Sequence, residues 1–376
     1  MKVSVCFFLL VASFAMGAHG ETSKPVRQGD KEPKPRMEVC FVLDTTGSMT
    51  GLIEGAKQKI WSIANTMVTG KPSSEIRIGL VAYRDRGDEY VTRTFDLTHD
   101  IDAVYGQLQS FRAAGGGDTP ESVNEALDEA VQKMSWSQDR HVLKIIFLVG
   151  DAPPHMDYAD GPKYTAICQQ AVKKDLIINT IQCGSLGETT PIWKEIAQLS
   201  EGGYAAIAQS GNMASIATPM DSELSELNRK LGKTLVAYGG ERARSSLAAK
   251  QAAAEAAPAP VAADRLAFNY RNGVAVQGEG ELLDGLKQGK LKLESLNKVE
   301  LAPELQNLSD KDLKTELDRR QKERQDIQAR IQTLSEQREN YLATERKRLA
   351  EKGKGDSFDE KVASTIRAEA ARKGIE

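Results

Sequence analysis

The sequence predicts an α/β fold: a doubly wound, mostly parallel, Rossmann-like sheet with one antiparallel edge strand, then a linker and a C-terminal α-helical segment. Three observations carry this. Between residues 37 and 240, runs of apolar, strand-like sequence alternate with stretches of helical periodicity. The strand-like runs are apolar on both faces, as strands are when helices cover a parallel sheet from both sides. After Gly240 the composition shifts to alanine and proline, and later to a long run of charges.

The elements follow in order. Met1, Lys2 and "VSVCFFLLVASFAMGAHG" combine a positive start, an apolar stretch and a small-residue end, so residues 1–20 are expected to be a cleaved signal peptide. Residues 21–36, charged and Pro-bearing, lack the apolar surface to order themselves and form a leader. The expected domain, 37–240, opens with "MEVCFVL", a helix over 51–69 and "IRIGLVAYR". The turn "RDRGDE" then returns the chain as "YVTRTF", which pairs antiparallel at one edge. Helices over 101–111 and 120–135, "HVLKIIFLVG", helix 162–174, "LIINTIQC", helix 190–200, "YAAIA" and helix 212–237 complete it. Residues 241–265 read as an Ala/Pro-rich linker and 266–308 as a small irregular region. Residues 309–376 are a charged helical or coiled-coil tail, capped by Ser309, with a seam of Leu313, Leu317, Arg320, Arg324, Ile327, Ile331, Leu334, Arg338 and Tyr341. A single solvated helix is the plainer alternative.

The chain has 376 residues, 40% hydrophobic and 27% charged, with net charge −3, enough for one substantial core plus an appendage and against a general nucleic-acid binder. With the signal removed, no stretch is expected to span a bilayer. Cys6 leaves with the signal, and the three remaining cysteines make neither a disulfide framework nor a zinc pattern. Cys40 and Cys183 read as small core residues, with a Cys168–Cys183 bridge left open.

In an open parallel sheet, ligands bind beyond the carboxyl ends of the strands. Three features fall at that edge. Asp44, Thr46 and Ser48 alternate after the first strand; "GGGDTPES" brings Thr119 to the start of a helix; and Asp151 follows the strongly apolar "IIFLVG". Carboxylates and hydroxyls from three loops make an oxygen-only site for a hard divalent cation, Mg2+, with Mn2+ or Ca2+ as alternatives.

On these residues the chain resembles the von Willebrand factor A (VWA) family, whose metal-ion-dependent adhesion site has the pattern D-x-[ST]-x-S, then a Thr, then an Asp. Asp44, Thr46 and Ser48 fill the first motif, Thr119 the second position and Asp151 the third. Threonine in the middle, where serine is commoner, keeps the hydroxyl. The wording "VAYRDRGDEY" and "DAPPH" is similar to secreted bacterial members. The resemblance, over about residues 37–238, implies a non-enzymatic binding module whose cation captures an Asp or Glu of a protein partner. The signal-peptide pattern makes it secreted or periplasmic, and the helical tail is where homo-oligomerisation would reside. Arg84, Asp85, Arg86, His155 and Tyr158 would form the rim.

Each feature also has a plainer reading. "DTTGS" alone is a capped strand-to-helix turn. Arg86-Gly87-Asp88 is a charged hairpin turn, and the glycine run lacks the lysine of a phosphate loop. A structural scaffold working through its tail is one rival. A metal-dependent hydrolase is another, with Asp118, Glu121 and His155 as the available bases.

Overall fold

A computed structural model describes residues 34–69, 74–213, 215–351 and 357–375. The expected signal peptide, 1–20, and residues 21–33 of the leader lie outside the described residues. From Lys34 onward the chain is one compact unit.

Strands β1 (Arg36–Asp44), β2 (Glu75–Tyr83), β3 (Thr92–Thr98), β4 (Leu143–Gly150), β5 (Ile177–Cys183) and β6 (Tyr204–Ile207) form a sheet of order β3-β2-β1-β4-β5-β6. β3 runs antiparallel to β2 at one edge, as expected, and every other pairing is parallel. β1 shows why its sequence alternates no polarity. Val39, Phe41 and Leu43 enter the core on one face, while Cys40 and Val42 enter the core on the other.

The first face is covered by α1 (Thr50–Val68) and α2 (Ile101–Ser110), and the second by α3 (Val123–Asp128), α4 (Tyr164–Lys173) and α5 (Thr189–Leu199). α1 buries Leu52, Ile53, Ile60, Trp61, Ile63, Ala64 and Met67, an apolar face of helical spacing. Phe41 stacks on Phe147 at 5.4 Å between ring centroids. Removing either ring would leave a cavity costing about 3–5 kcal/mol. Pro120 and Glu121 precede α3 instead of opening it, and the helix expected over 212–237 is only α6 (Asp221–Gly232).

The largest departure lies beyond β6. The expected linker, 241–265, is helical: α7 (Glu241–Ala256) and α8 (Ala259–Arg271) enclose it, with Pro258 and Pro260 at the start of α8. Val261 and Phe268 of α8 join the core, and Phe268 lies 5.5 Å from Trp61 between ring centroids. Alanine reads as a spacer in composition, yet it is the strongest helix former, and docking on α1 supplies the missing stabilisation. The region 266–308 contains α9 (Leu282–Lys287) and α10 (Pro303–Gln306), with its own leucine core.

α11 (Asp310–Glu351) starts where expected, with the Ser309 hydroxyl accepting from the Asp312 amide at 3.2 Å. Its seam is folded against this same chain: Ile331 and Leu334 pack with Leu224, Leu227, Leu231 and Leu266. Leu342, not Tyr341, is the buried residue at the seam's end. α12 (Phe358–Arg372) returns to the sheet, placing Phe358, Val362 and Ile366 in the core beside Phe41. Cys40, Cys168 and Cys183 are all buried and free, so the open Cys168–Cys183 bridge is not made. Among the described residues, no helix is long and apolar enough to cross a membrane.

Candidate metal centre

Asp44 ends the central strand β1 and is wholly buried. Its Oδ1 accepts from the Thr46 backbone N–H at 2.8 Å and from the Thr46 hydroxyl at 2.7 Å, a local turn that an Asp-x-Thr spacing favours. Its Oδ2 is buried without a hydrogen-bond partner. The Ser48 hydroxyl lies 3.3 Å from that of Thr46.

The glycine run folds onto this turn. Ala114 donates its N–H to the Thr45 carbonyl at 3.0 Å, and Gly47 donates to that of Gly115 at 3.2 Å. Gly116 has φ +86°, and a Cβ there would lie 3.4 Å from Glu121 Oε1 and 3.5 Å from Thr46 Cβ. Glu121 and Thr46 therefore flank the same glycine.

Asp151 closes the arrangement from β4. Its Oδ2 accepts from Gln209 Nε2 at 2.7 Å, and the same amide donates to the Ser48 carbonyl at 3.3 Å, tying Asp151 to the first loop. At Gly150 a Cβ would stand 2.9 Å from Asp44 Cβ and 3.1 Å from Asp44 Oδ2, so glycine lets the end of β4 approach Asp44.

Asp44, Thr46, Ser48 and Asp151 thus meet around one point at the carboxyl edge. Thr119 is exposed on the loop above them and makes no hydrogen bond to the other four. Gln209 was not foreseen, because the segment holding it reads as the approach to a helix. Glu121 enters the sequence reading only as a base for the rival hydrolase, although its place after the glycine run was a usable signal.

Electrostatics mark the same spot. Burial pushes the Asp44 carboxyl up to about 7 against the lowering effect of its Thr46 hydrogen bonds, and the Asp151 charge adds to the rise. Glu121, buried, is raised to about 9 by desolvation and then by Asp44, Asp85, Asp88 and Asp151. Glu121 Oε2 and the Tyr83 hydroxyl are, like Asp44 Oδ2, buried without a partner. Folded proteins seldom leave buried polar groups unmatched. An all-oxygen donor set with unmatched carboxylate oxygens suits a hard divalent cation.

The rim residues play different parts. Arg84 is buried and donates to the carbonyls of Thr45 at 3.2 Å and Arg112 at 2.7 Å, pinning the first two loops together. Arg86 stacks on Tyr158 at 3.9 Å and pairs with Glu125 and Asp160. Asp88 Oδ2 accepts from the amides of Asp85 and Gly116, so both charged members of Arg86-Gly87-Asp88 are engaged within the chain. Asp85 accepts from the hydroxyls of Ser122 and Tyr158 at 3.0 and 3.1 Å.

An open, mostly parallel α/β sheet with a group of oxygen-bearing side chains at its carboxyl edge defines the class of fold. Residues 38–218 match the family model described as von Willebrand factor A domain. It is similar to human von Willebrand factor A domain-containing protein 7, 34% identical over 120 residues, covering 32% of this chain and 12% of that protein. It is also similar to the Dictyostelium discoideum alpha-protein kinase vwkA, 27% identical over 121 residues, covering 32% of this chain and 19% of that protein. This chain therefore spans a small part of those relatives' length. Among solved structures, BatB from Bacteroides thetaiotaomicron is similar with TM-score 0.35 and 17% identity, covering 46% of this chain and 90% of that one. A proximal thread matrix protein 1 from the mussel byssus, with a zinc-occupied adhesion-site motif, has TM-score 0.37 and 16% identity, covering 47% of this chain and 42% of that one.

Proposed function

We propose that this protein is a secreted or periplasmic, non-catalytic binding module. A divalent cation, Mg2+ with Mn2+ or Ca2+ as alternatives, sits on Asp44, Thr46, Ser48, Thr119 and Asp151 and captures an acidic side chain of a protein partner. The observation that carries the reading is the unpartnered, fully buried Oδ2 of Asp44 beside two hydroxyls. A cation there would match the charge that burial disfavours. The donor set supplies few charged oxygens, so water completes the shell and one exposed position takes an incoming carboxylate. The N-terminal sequence pattern supports export. A scaffold acting through α11 is less favoured, because its apolar seam is already packed within the chain.

Calorimetric titration of Mg2+, Mn2+ and Ca2+ into the full chain tests the cage. Saturable binding that disappears in Asp44→Ala, while the variant still unfolds cooperatively, is the expected result. Equal binding by both proteins would place the metal elsewhere.

A further inference from the structure

We propose that Asp85, Asp118 and His155 form a second divalent-metal site of the zinc class, separate from the cage at Asp44. Each belongs to a different loop of the carboxyl edge: Asp85 follows β2, Asp118 lies beyond the glycine run, and His155 follows β4. His155 Nε2 stands 3.3 Å from Asp85 Oδ2 and 3.8 Å from Asp118 Oδ1, and the three ligand atoms all lie within 4.8 Å of one another. Zinc bonds of about 2.0–2.2 Å in tetrahedral array hold neighbouring ligand atoms roughly 3.3–3.5 Å apart. The cluster is therefore close to the spacing that one small ion imposes.

The histidine supplies the independent observation. His155 is only 5% exposed, and its Nε2 is buried without a hydrogen-bond partner although Asp85 Oδ2 is near. Nε2 thus lies within ion-pair distance of two carboxylates yet makes no hydrogen bond to either. Its other nitrogen is already engaged: Nδ1 is 2.8 Å from Asp157 Oδ1, and the ring stacks on Tyr158 with centroids 4.1 Å apart. A proton on Nδ1 directed at Asp157 leaves the Nε2 lone pair facing Asp85 and Asp118, the carboxylate–histidine–metal arrangement. Asp85 is held in turn by Ser122 and Tyr158. Only Asp118 is exposed, which leaves a side from which metal and water can enter.

The two sites differ in chemistry. An all-oxygen cage suits Mg2+, whereas an imidazole with two carboxylates suits Zn2+ and is poorly matched to Mg2+. The competing arrangement is an imidazolium held between Asp85 and Asp157. Burial lowers the His155 pKa, but the Asp157 hydrogen bond and the Asp85 charge raise it more, so the metal-free ring favours its proton and zinc must displace it.

The experiment is calorimetric titration of Zn2+ into the chelator-stripped full chain in excess Mg2+, repeated with Co2+ while visible absorption is recorded. One zinc site is expected to persist in Asp44→Ala, to weaken at least roughly tenfold in Asp157→Asn, and to be lost in Asp118→Ala and His155→Gln. Co2+ should give the intense absorption of a four-coordinate ion, abolished by the same two substitutions. Asp118 is exposed, so its variant should keep the parent's unfolding midpoint, and loss of zinc there cannot be blamed on unfolding. Zinc binding lost in Asp44→Ala and kept in Asp118→Ala and His155→Gln would assign the metal to the first cage and overturn the proposal. No zinc uptake at all would overturn it as well, and would leave the Mg2+ titration of the first cage unaffected.

Discussion

Two groups of buried carboxylates in this molecule are treated in opposite ways. On the helical side, Asp102 meets Arg265 through hydrogen bonds of 2.6 and 3.0 Å, Glu281 and Asp284 meet Arg324 at 2.7 and 3.1 Å, and Asp221 meets Arg338 at 2.7 Å. Each of these acids is matched by a guanidinium supplied within the chain. At the carboxyl edge of the sheet, Asp44 and Glu121 are equally buried, yet each keeps one oxygen without a partner. The first arrangement is complete as it stands and joins helices. The second lacks a positive charge, and the lack is what points to a ligand.

The strongest way to break this comparison is to remove a guanidinium. Arg324→Met should destabilise the protein by about 3–5 kcal/mol in denaturant unfolding, because Glu281 and Asp284 are left buried without a counter-charge. Adding Glu281→Gln and Asp284→Asn should recover most of that loss. A penalty below about 1 kcal/mol would show that the helical carboxylates are no better compensated than Asp44.

The converse substitution sharpens it. The folded-state pKa of Asp44 is raised to about 7, whereas an unfolded aspartate titrates near about 4. The folded state holds this proton more tightly, so the stability Asp44 contributes is present at acid pH and is lost as pH rises from about 4 through about 7. Asp44→Asn should therefore stabilise the metal-free protein by roughly 2–4 kcal/mol at pH 8, leave it little changed at pH 4, and abolish Mg2+ binding. Unfolding curves at the two pH values check this, and a variant less stable than its parent at pH 8 would contradict it.

The smallest effect is expected on the solvent face of α11. Lys314 and Asp318 pair at 2.5 Å with both side chains more than half exposed. Alanine at either position should shift stability by no more than about 0.5 kcal/mol, measured in the same unfolding experiment.

The sequence makes the sheet legible because its strands carry the signal locally. "MEVCFVL" and "IIFLVG" are apolar on both faces, and Asp44 and Asp151 stand where those runs stop. The rest depends on partners far along the chain. Nothing near residues 241–265 announces that Val261 joins the core and Phe268 meets Trp61, or that Asp102 waits for Arg265. The arginines of the α11 seam look like interruptions of a coiled coil until Glu281, Asp284, Asp221 and Asp264 are seen opposite them. At the site, Asp44 is recognisable by its motif. Gln209 and Glu121 are recognisable only once the loops have been brought together.

The placement of α12 also bears on how the molecule is made. Phe358, Val362 and Ile366 belong to the same core as Val39 and Phe41 of the first strand. Synthesis delivers the first strand long before the helix that packs against one of its faces. Until then the part of that face that α12 covers stays open to water and to other chains, and closing it requires one of the longest-range encounters the polypeptide makes, a slow step on topological grounds. A chain cut short of Phe358 should thus be vulnerable to aggregation however good its sheet.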